Sequence, residues 1–487
     1  MLNATTASAA ATAETLDQRT WWRNAWRPSE RQDVYEVTEI EGEIPRALRG
    51  TLYRNGPSQR IMPAEGYEAL HLFDGDGLVH AFRFEDGRLF YRGRFVECPS
   101  YLVEQEEGRA CMGFVNLNVP DPTDRVFLRQ THNTNVVFHG GKLMALVENA
   151  YPFEIDRRDL GPIGVNDFQG KMLGMSTSAH PKIDGRTGQM VIHGYQPFEP
   201  YVQLYVVEPD GTCSLAEPVE MPFSAMLHDF AITDRYAIFP LCPIVQDGEA
   251  LMNGVPYADT LSWQPERGLK FGIRPRGAGG AVRWFEAPTP GYLFHPGNAY
   301  EKDGVIYMDA CTYTGGQAFL DALRNWRRGD APGYDAHPYL YEFDLATGAC
   351  RERKLDDRGA EFPRLDDRLI GYENRFGYAV LSQPGTRAGE PAHPWSRIMK
   401  YDRRGGPSAI HDFGDWHWPN EPVFVPRTPD AAEDDGFVLS VVYDGGTDGT
   451  YVAVLDARNV DRPPLAKAHL KHRIPQGFHG SFVPATE

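Results

Sequence analysis

Residues 80–95 read HAFRFEDGRLFYRGRF and show most plainly how this chain folds. Apolar and aromatic residues alternate with polar ones on both sides of the Glu-Asp-Gly sequence at 85–87. A period of two is typical of a strand with one buried face, and an Asp-Gly pair favours a tight hairpin turn. The stretch therefore predicts two antiparallel strands joined by a short turn.

The same unit recurs along the whole chain. Runs of β-forming residues that end in an acidic residue and a polar turn begin at positions 204, 340, 398 and 452, as LYVVEPDGT, LYEFDLATG, IMKYDRRGG and VAVLDARN. No linker rich in Pro, Gly or Ser separates them. Serial repetition of small sheets predicts an all-β protein, and a β-propeller satisfies this pattern; seven blades would average about 70 residues each, including loops. A two-domain all-β protein is the alternative fold.

We expect a leader followed by one large domain. Residues 1–30 contain neither a basic region nor a continuous apolar run, which indicates a flexible leader with a short helix and not a secretory signal. Helical periodicity is found over 15–26 and over 316–328. Residues 31–487 are expected to form a single propeller domain with insertions that cap it.

Composition and charge exclude several classes of protein. The 49 Lys and Arg residues against 67 Asp and Glu residues give a formal charge of −18. This acidity excludes non-specific binding of nucleic acid as the main activity, because phosphate contacts require a basic face. Six scattered cysteines without a CxxC pair indicate buried thiols in a reducing compartment. With no apolar stretch long enough to span a bilayer, the sequence predicts a soluble, cytoplasmic protein.

Four of the fifteen histidines lie in apolar or tight-turn contexts, where an imidazole needs a partner: His180, His228, His295 and His479. The gaps between them are 48, 67 and 184 residues, close to one, one and three blade lengths. Equivalent inner-strand positions of a propeller converge on its axis, so the four could meet there. Neutral imidazoles suit Fe(II), Zn(II) or Cu(II), and carboxylates are expected to orient them. Three glutamates in apolar surroundings suit that role: Glu148, Glu361 and Glu421.

Spacing alone leaves other interpretations open. Each of these histidines can be a hydrogen-bonded core residue, and each glutamate a surface or turn residue. The other eleven histidines lie in polar or charged segments and are expected to be structural. A serine hydrolase is not supported, because no GxSxG motif is present. Paired carboxylates for glycoside hydrolysis stay open among 67 acidic residues.

Nine separated segments, in order from about Glu39 to the C-terminus, resemble the carotenoid cleavage oxygenase family of non-haem iron enzymes. They are GEIPRALRGTLYRNGPSQ, HLFDGDGLVHAFRF, NTNVVFHGGKLMALVE, SAHPKIDGRTGQM, LHDFAIT, FHPGNAYE, EFPRLD, EPVFVPR and LKHRIPQGFHGSF. The resemblance implies a seven-bladed propeller with a dome of loops and helices over a metal site on the central axis.

The resemblance also implies roles for individual residues. Fe(II) is expected on four histidines, which here are His180, His228, His295 and His479. The supporting pairs are expected to be Glu148 with His228, Glu361 with His295, and Glu421 with His479, whereas His180 has no glutamate. Thr134 is implied to place its methyl group near an open iron position, which limits access to one opening the size of O2.

The implied activity is that of an Fe(II)-dependent dioxygenase, in which O2 adds across a C=C bond of a conjugated substrate and gives two carbonyl products. Family members that cleave phenols resemble one another in a Lys before the first glutamate and a Tyr upstream; the corresponding residues here are Val147 and Phe114. A buried phenol would lose its partners at about 1–3 kcal/mol per unsatisfied group. We therefore expect a carotenoid or apocarotenoid substrate. Cleavage of a stilbene or phenylpropanoid is the alternative, and a non-enzymatic binding propeller is a second one.

The substrate is expected to reach the iron through an apolar tunnel. Four residues are predicted to line it, although simple core packing is an alternative for each: Phe114, Val147, Met226 and Phe294. Because a polyene partitions into membranes, we expect an exposed apolar patch at the tunnel mouth and peripheral contact with a membrane. Residues 251–263, LMNGVPYADTLSW, are the predicted patch.

Overall fold

Seven antiparallel sheets of four or more strands follow one another along the chain. The structure, a computed structural model, describes residues 21–61, 71–115, 125–126, 128–325, 336–383 and 393–485. The first strands of neighbouring blades contact one another around a common centre. This is the β-propeller that the repeated hairpins predicted, with the seven blades that the family resemblance implied.

The blades are numbered in chain order. Blade 1 has the strands Val34–Val37, Gly50–Ser58, Asp76–Glu85, Arg88–Phe95 and Gly480–Pro484. Blade 2 has Asn135–His139, Lys142–Leu146, Phe153–Ile155 and Pro162–Val165. Blade 3 has Lys182–Ile183, Met190–Tyr195, Val202–Val207 and Cys213–Val219. Blade 4 has Ala231–Ile232, Tyr236–Leu241, Lys270–Pro275 and Arg283–Glu286.

The last three blades continue the same arrangement. Blade 5 has Tyr292–Lys302, Val305–Tyr313, Ala336–Asp344 and Cys350–Lys354. Blade 6 has Ala360–Arg364, Phe376–Gln383, His393–Asp402 and Ala409–Asp412. Blade 7 has Glu39–Gly42, His417–Pro419, Val423–Pro426, Gly436–Asp444, Gly449–Asp456 and Ala466–His469.

The hairpin at 80–95 forms as predicted. Strand Asp76–Glu85 pairs with Arg88–Phe95, and Glu85 faces Arg88 across the turn. The two turn residues, Asp86 and Gly87, have φ angles of 51° and 78°, the left-handed values that a type I′ turn requires. The other four predicted hairpins also pair antiparallel.

Strands from both ends of the chain close the ring. Gly480–Pro484 pairs with Gly50–Ser58 and becomes the inner strand of blade 1. Glu39–Gly42 pairs with Ala466–His469 and becomes the outer strand of blade 7. Because each terminal segment completes a sheet made by the other end, blades 1 and 7 are interlocked.

In the described part of the chain, helices lie between strands, except Trp21–Trp26, which precedes the first strand. The α-helices are Pro99–Glu107, Gly248–Met252 and Gly316–Asn325, and the 3-10 helices are Trp21–Trp26, Leu72–Asp74, Tyr257–Thr260, Pro265–Arg267 and Asp367–Leu369. Strand Ile244–Gln246 pairs with Leu261–Trp263, and helix Gly316–Asn325 packs on this small sheet to form the cap. The helix predicted over 316–328 is therefore observed as far as Asn325, and the helix predicted over 15–26 lies partly outside the described residues.

Side chains that the sequence placed in polar segments are often buried. Six of the eleven histidines expected to be structural are buried: His71, His80, His132, His139, His193 and His411. His80 has a partner across strands, since its Nδ1 lies 2.9 Å from the Tyr91 hydroxyl, and four others lie next to backbone carbonyls: His71, His132, His139 and His193. All six cysteines are free thiols, five of them buried. Within the described chain, no helix has both the length and the apolar character needed to cross a bilayer.

Candidate metal centre

Four histidines from four blades meet on the propeller axis. They stand in or just before the first strands of blades 3, 4 and 5 and the closing strand of blade 1: His180, His228, His295 and His479. One ring nitrogen from each lies within 4.8 Å of those of the other three, and all four residues are buried. Since the closing strand of blade 1 follows blade 7, the sequence gaps correspond to one, one and three blades, as predicted.

The ring nitrogens that face the axis carry lone pairs. Nδ1 of His228 donates to Glu148, and Nδ1 of His295 donates to Glu361 at 2.7 Å, because an ionised carboxylate can only accept. In these tautomers the opposite nitrogens, Nε2, are acceptors. Nε2 of His228 nevertheless lies 3.2 Å from Nε2 of His295. Lone pairs this close repel unless a cation lies between them.

These spacings suit a metal ion. Two imidazoles at right angles on one ion, with metal–nitrogen bonds of about 2.1 Å, place their nitrogens about 3 Å apart. Among the described residues, no Lys or Arg side chain forms an ion pair with Glu148 or Glu361. A buried carboxylate without a cation is costly, so the donor set and its charge both fit a divalent ion.

Glu421 supports the third imidazole and has cationic partners of its own. It accepts from His479 Nδ1 at 3.0 Å, from Arg54 at 2.8 Å and from Arg364 at 3.1 Å. Burial opposes ionisation of Glu421, but Arg364, His479 and Arg54 together hold its pKa well below its usual range. All three sequence-predicted pairs of glutamate and histidine are therefore in contact, and their roles toward a metal stay predictions.

The fourth histidine has a different environment. Among the described residues, no glutamate contacts His180; its Nδ1 lies 3.7 Å from Asp229, which binds Lys182 at 2.8 Å. All three residues line a cavity that is also lined by His295 and His479. Sequence reasoning missed Asp229, although its position directly after His228 in LHDFAIT was a signal.

Burial favours the neutral form of His180 and His479, which is the form that binds metal. Burial, with the three neighbouring imidazoles, lowers the pKa of His180 well below its usual value. Burial also lowers the pKa of His479 to about 3, although the Glu421 carboxylate opposes this shift.

An apolar cavity of about 670 Å³ leads to the histidines from the cap side. All four predicted tunnel residues line it, together with three of the histidines: Phe114, Val147, Met226, Phe294, His228, His295 and His479. The Phe294 ring stacks on His228, with centroids 4.0 Å apart. Thr134 also lines the cavity, and its backbone carbonyl accepts from the His479 N–H at 3.2 Å. The cavity thus brings the predicted residues to one place, while their roles stay predictions.

Two tyrosines that sequence reasoning missed stand in the cavity wall. Tyr195 donates its hydroxyl to Glu148, and its oxygen lies 3.4 Å from that of Tyr257. Tyr195 ends a strand of blade 3 and Tyr257 belongs to the cap, so no local motif links either of them to Glu148.

Comparisons with known proteins agree with this architecture. The family model described as retinal pigment epithelial membrane protein, RPE65, matches residues 26–484. Resveratrol cleavage oxygenase 1 of Aspergillus fumigatus is 34% identical over 470 residues, which cover 91% of each chain. Isoeugenol monooxygenase of Pseudomonas nitroreducens is 31% identical and covers 93% of this chain and 95% of that one. Carotenoid 9,10(9',10')-cleavage dioxygenase 1 of Phaseolus vulgaris is 30% identical and covers 91% and 86%.

Solved structures show the same fold. Lignostilbene dioxygenase of Pseudomonas brassicacearum superposes with a TM-score of 0.85 at 30% identity, covering 96% of this chain and 99% of that one. Cobalt-substituted ACO of Synechocystis gives a TM-score of 0.85 at 28% identity, covering 96% and 98%. The chain therefore belongs to the retinal pigment epithelial membrane protein family, the RPE65/carotenoid cleavage oxygenase family that its sequence segments resemble.

Proposed function

We propose that this chain is an Fe(II)-dependent dioxygenase that cleaves a C=C bond of a carotenoid or apocarotenoid. The observation that carries the proposal is the convergence of four buried imidazoles on one axis, with carboxylates behind three of the rings. Relatives with this fold include enzymes named as dioxygenases for carotenoids and for lignostilbene.

The protein's part in the reaction is to bind, orient and exclude water. His180, His228, His295 and His479 would hold the ion, and Glu148, Glu361 and Glu421 would fix the ring orientations. Bound iron would supply the redox chemistry by which O2 adds across the double bond and yields two carbonyl products. The apolar wall, which includes Val147 and Phe294, holds a conjugated chain beside the histidines, and Thr134 narrows the approach for O2. No side chain need donate or accept a proton.

The charge of the cavity wall supports a neutral, apolar substrate. Among the described residues that line the cavity, Arg129 is the only Lys or Arg. Its guanidinium is buried and already bonds Asp76 at 2.9 Å, so it is not available to a phenolate. Val147 and Phe114 add apolar surface near Glu148, where a phenol-binding relative would need polar partners.

A substrate panel tests the proposal and its alternatives. Iron-loaded protein is incubated in air with an apocarotenal, a hydroxystilbene and isoeugenol, and the carbonyl products are identified. Cleavage of the polyene with the phenols inert supports the proposal; cleavage of the phenols alone supports the alternative substrate class. Protein that binds no iron and is unaffected by His228→Ala would instead be a binding propeller.

We also propose that the cavity mouth contacts a membrane peripherally from the cytoplasm. Four large apolar residues at the mouth are 40–56% exposed: Val165, Met175, Phe198 and Met252. This patch differs from the one predicted at residues 251–263, where Leu251 and Tyr257 are buried and Met252 alone is a large exposed apolar residue. Exposed apolar groups clustered at one opening are typical of a docking surface.

Vesicle flotation tests this contact. Wild-type protein is expected to float with neutral phosphatidylcholine vesicles, because the burial of apolar groups, and not charge, drives the contact. The double variant Phe198→Ser, Met252→Ser should float less, whereas the control Val34→Ser, at an exposed valine of the blade 1 outer strand, should float like wild type. Equal flotation of all three proteins contradicts the proposal.

A further inference from the structure

Two phenolic hydroxyls interrupt the apolar wall of the substrate cavity. Tyr195 and Tyr257 both line the cavity, and their oxygens lie 3.4 Å apart. Tyr195 donates to Glu148, and Glu148 accepts from His228. Two hydrogen bonds and one longer contact thus connect the Tyr257 hydroxyl to a histidine of the metal centre.

The Tyr257 hydroxyl is a donor without a good acceptor in the described structure. Its 3.4 Å contact with Tyr195 exceeds the usual 2.5–3.0 Å of an O–H···O hydrogen bond. The residue is 9% exposed, so water contributes little. Burial raises the pKa of both phenols above the usual value, so both hydroxyls keep their protons at any working pH. A buried donor of this kind favours a ligand that offers an acceptor.

The hydroxyl is held in a fixed position. The Tyr257 N–H donates to the Phe114 carbonyl at 3.1 Å, and the two rings stack with centroids 5.1 Å apart. The Asp74 carboxylate accepts from the N–H groups of Phe114 and Val115 at 3.2 Å, which fixes the backbone behind Tyr257. A donor held in this way binds an acceptor without a large loss of conformational entropy.

We propose that the Tyr257 hydroxyl, with Tyr195 behind it, binds the terminal oxygen of an oxygenated polyene and so sets which double bond lies over the four histidines. The inference rests on the proposed function and names the substrate more closely. A neutral carbonyl or hydroxyl oxygen fits, because the nearby Glu148 carboxylate repels an anionic end group. The distance from this oxygen to the cleaved bond is then fixed by the protein.

Ligand binding without turnover tests the inference. Iron-loaded protein is titrated under argon with an apocarotenal and with the matched hydrocarbon, in which a methyl group replaces the aldehyde. Tyr257→Phe should weaken binding of the apocarotenal about threefold to tenfold, the range for one lost hydrogen bond, and leave the hydrocarbon unaffected. The matched control is Tyr151→Phe, a cavity tyrosine whose hydroxyl already donates to the Gly174 carbonyl at 2.7 Å. This substitution should keep the wild-type preference for the apocarotenal over the hydrocarbon.

A second measurement needs no variant. The C=O stretch of the bound apocarotenal, read by Raman spectroscopy, should lie below its value in an alkane solvent, because a hydrogen bond weakens the carbonyl. An unshifted stretch, or a Tyr257→Phe variant that weakens both ligands equally or neither, overturns the inference. Wild-type protein that discriminates between the ligands but cleaves neither in air contradicts the proposed function and leaves this binding site standing.

Discussion

At the scale of single residues, the supporting glutamates differ in what else they touch. Glu361 gives one oxygen to His295, and its other oxygen, Oε1, is buried without a hydrogen-bond partner among the described residues. Glu421 is held by Arg54 and Arg364 as well as by His479. The charge of Glu361 therefore depends on a cation at the metal centre, whereas Arg54 and Arg364 already balance the charge of Glu421.

Glu361→Gln should weaken iron binding about tenfold to a hundredfold, since the His295 ring loses its charged acceptor. Unfolding of the metal-free protein should change little, because no Lys or Arg loses a partner. Competition with a chelator measures the affinity, and Glu266→Gln at an exposed position is the matched control. Unchanged affinity for iron would contradict the role given to Glu361.

Glu421→Gln should reduce the stability of the metal-free protein, which Glu361→Gln should leave nearly unchanged. Arg54 and Arg364 are at least partly buried, and both lose their shared partner when the charge of Glu421 is removed. Breaking a buried ion pair costs about 3–5 kcal/mol. The free energy of unfolding of the metal-free variant, measured with urea, should fall by that order. Equal stability of the Glu361→Gln and Glu421→Gln variants would show that the arginines do not depend on Glu421.

The sequence indicated the histidines and glutamates of the centre but not the groups around them. The four histidines could be proposed because each lies in an apolar context at blade spacing. Arg54 could not, because it meets Glu421 across 367 residues of chain and carries no local pattern. In the sequence, Tyr195 and Tyr257 are indistinguishable from other aromatic residues of strands and loops. Only the fold places them near Glu148.

At the scale of elements, strand Gly480–Pro484 closes the propeller, and His479 of the metal centre lies directly before it. Gly480 follows His479, and a Cβ atom at Gly480 would lie 2.0 Å from the Tyr53 carbonyl oxygen of the neighbouring strand. The strand therefore packs against Gly50–Ser58 more closely than a side chain allows.

Gly480→Ala should separate these strands and displace His479. The expected cost is about 1–3 kcal/mol, the range for forced overpacking, and iron content should fall with it. Thermal unfolding and metal analysis measure the two effects. Gly277→Ala is the control, because a Cβ there has no neighbour within 4 Å. Wild-type stability and iron content in Gly480→Ala would contradict the account of ring closure.

Local pattern predicted the hairpins and could not predict the closure. Strands Asp76–Glu85 and Arg88–Phe95 are adjacent in sequence, so alternation and an Asp-Gly turn indicate their pairing. The pairing of Gly480–Pro484 with Gly50–Ser58 joins opposite ends of the chain, and each strand alone resembles any other edge strand.

At the scale of the whole molecule, buried neutral histidines make stability depend on pH. Burial lowers the pKa of His80 to about 3 and the pKa values of His132 and His193 to about 4. In the unfolded chain these residues titrate near pH 6.5. As the pH falls below about 6.5, the unfolded chain takes up protons that the folded chain refuses, so stability is lost on acidification.

The free energy of unfolding should therefore decrease between about pH 6.5 and pH 4, by about 1.4 kcal/mol per pH unit for each such histidine. Urea titrations at a series of pH values measure the slope. His132→Gln should reduce the slope by one histidine's share. A flat profile over this range contradicts the prediction.

The length of 487 residues is explained by one propeller whose axis gathers side chains from every blade. The repeated hairpins in the sequence predicted the propeller. The cavity could not be predicted in this way, because it depends on cap residues that follow no repeating pattern in the sequence. The acidic charge of the sequence argues against nucleic acid as the main ligand. The class of substrate is inferred from the residues that line the cavity.

The most direct test of the central claim is iron-dependent cleavage of an apocarotenal in air. Protein with one iron per chain should bleach the polyene and release two carbonyl products, and the His228→Ala variant, which loses a metal ligand, should do neither. An apocarotenal left intact by iron-replete, folded wild-type protein, or cleaved equally well by the iron-free His228→Ala variant, would contradict the account.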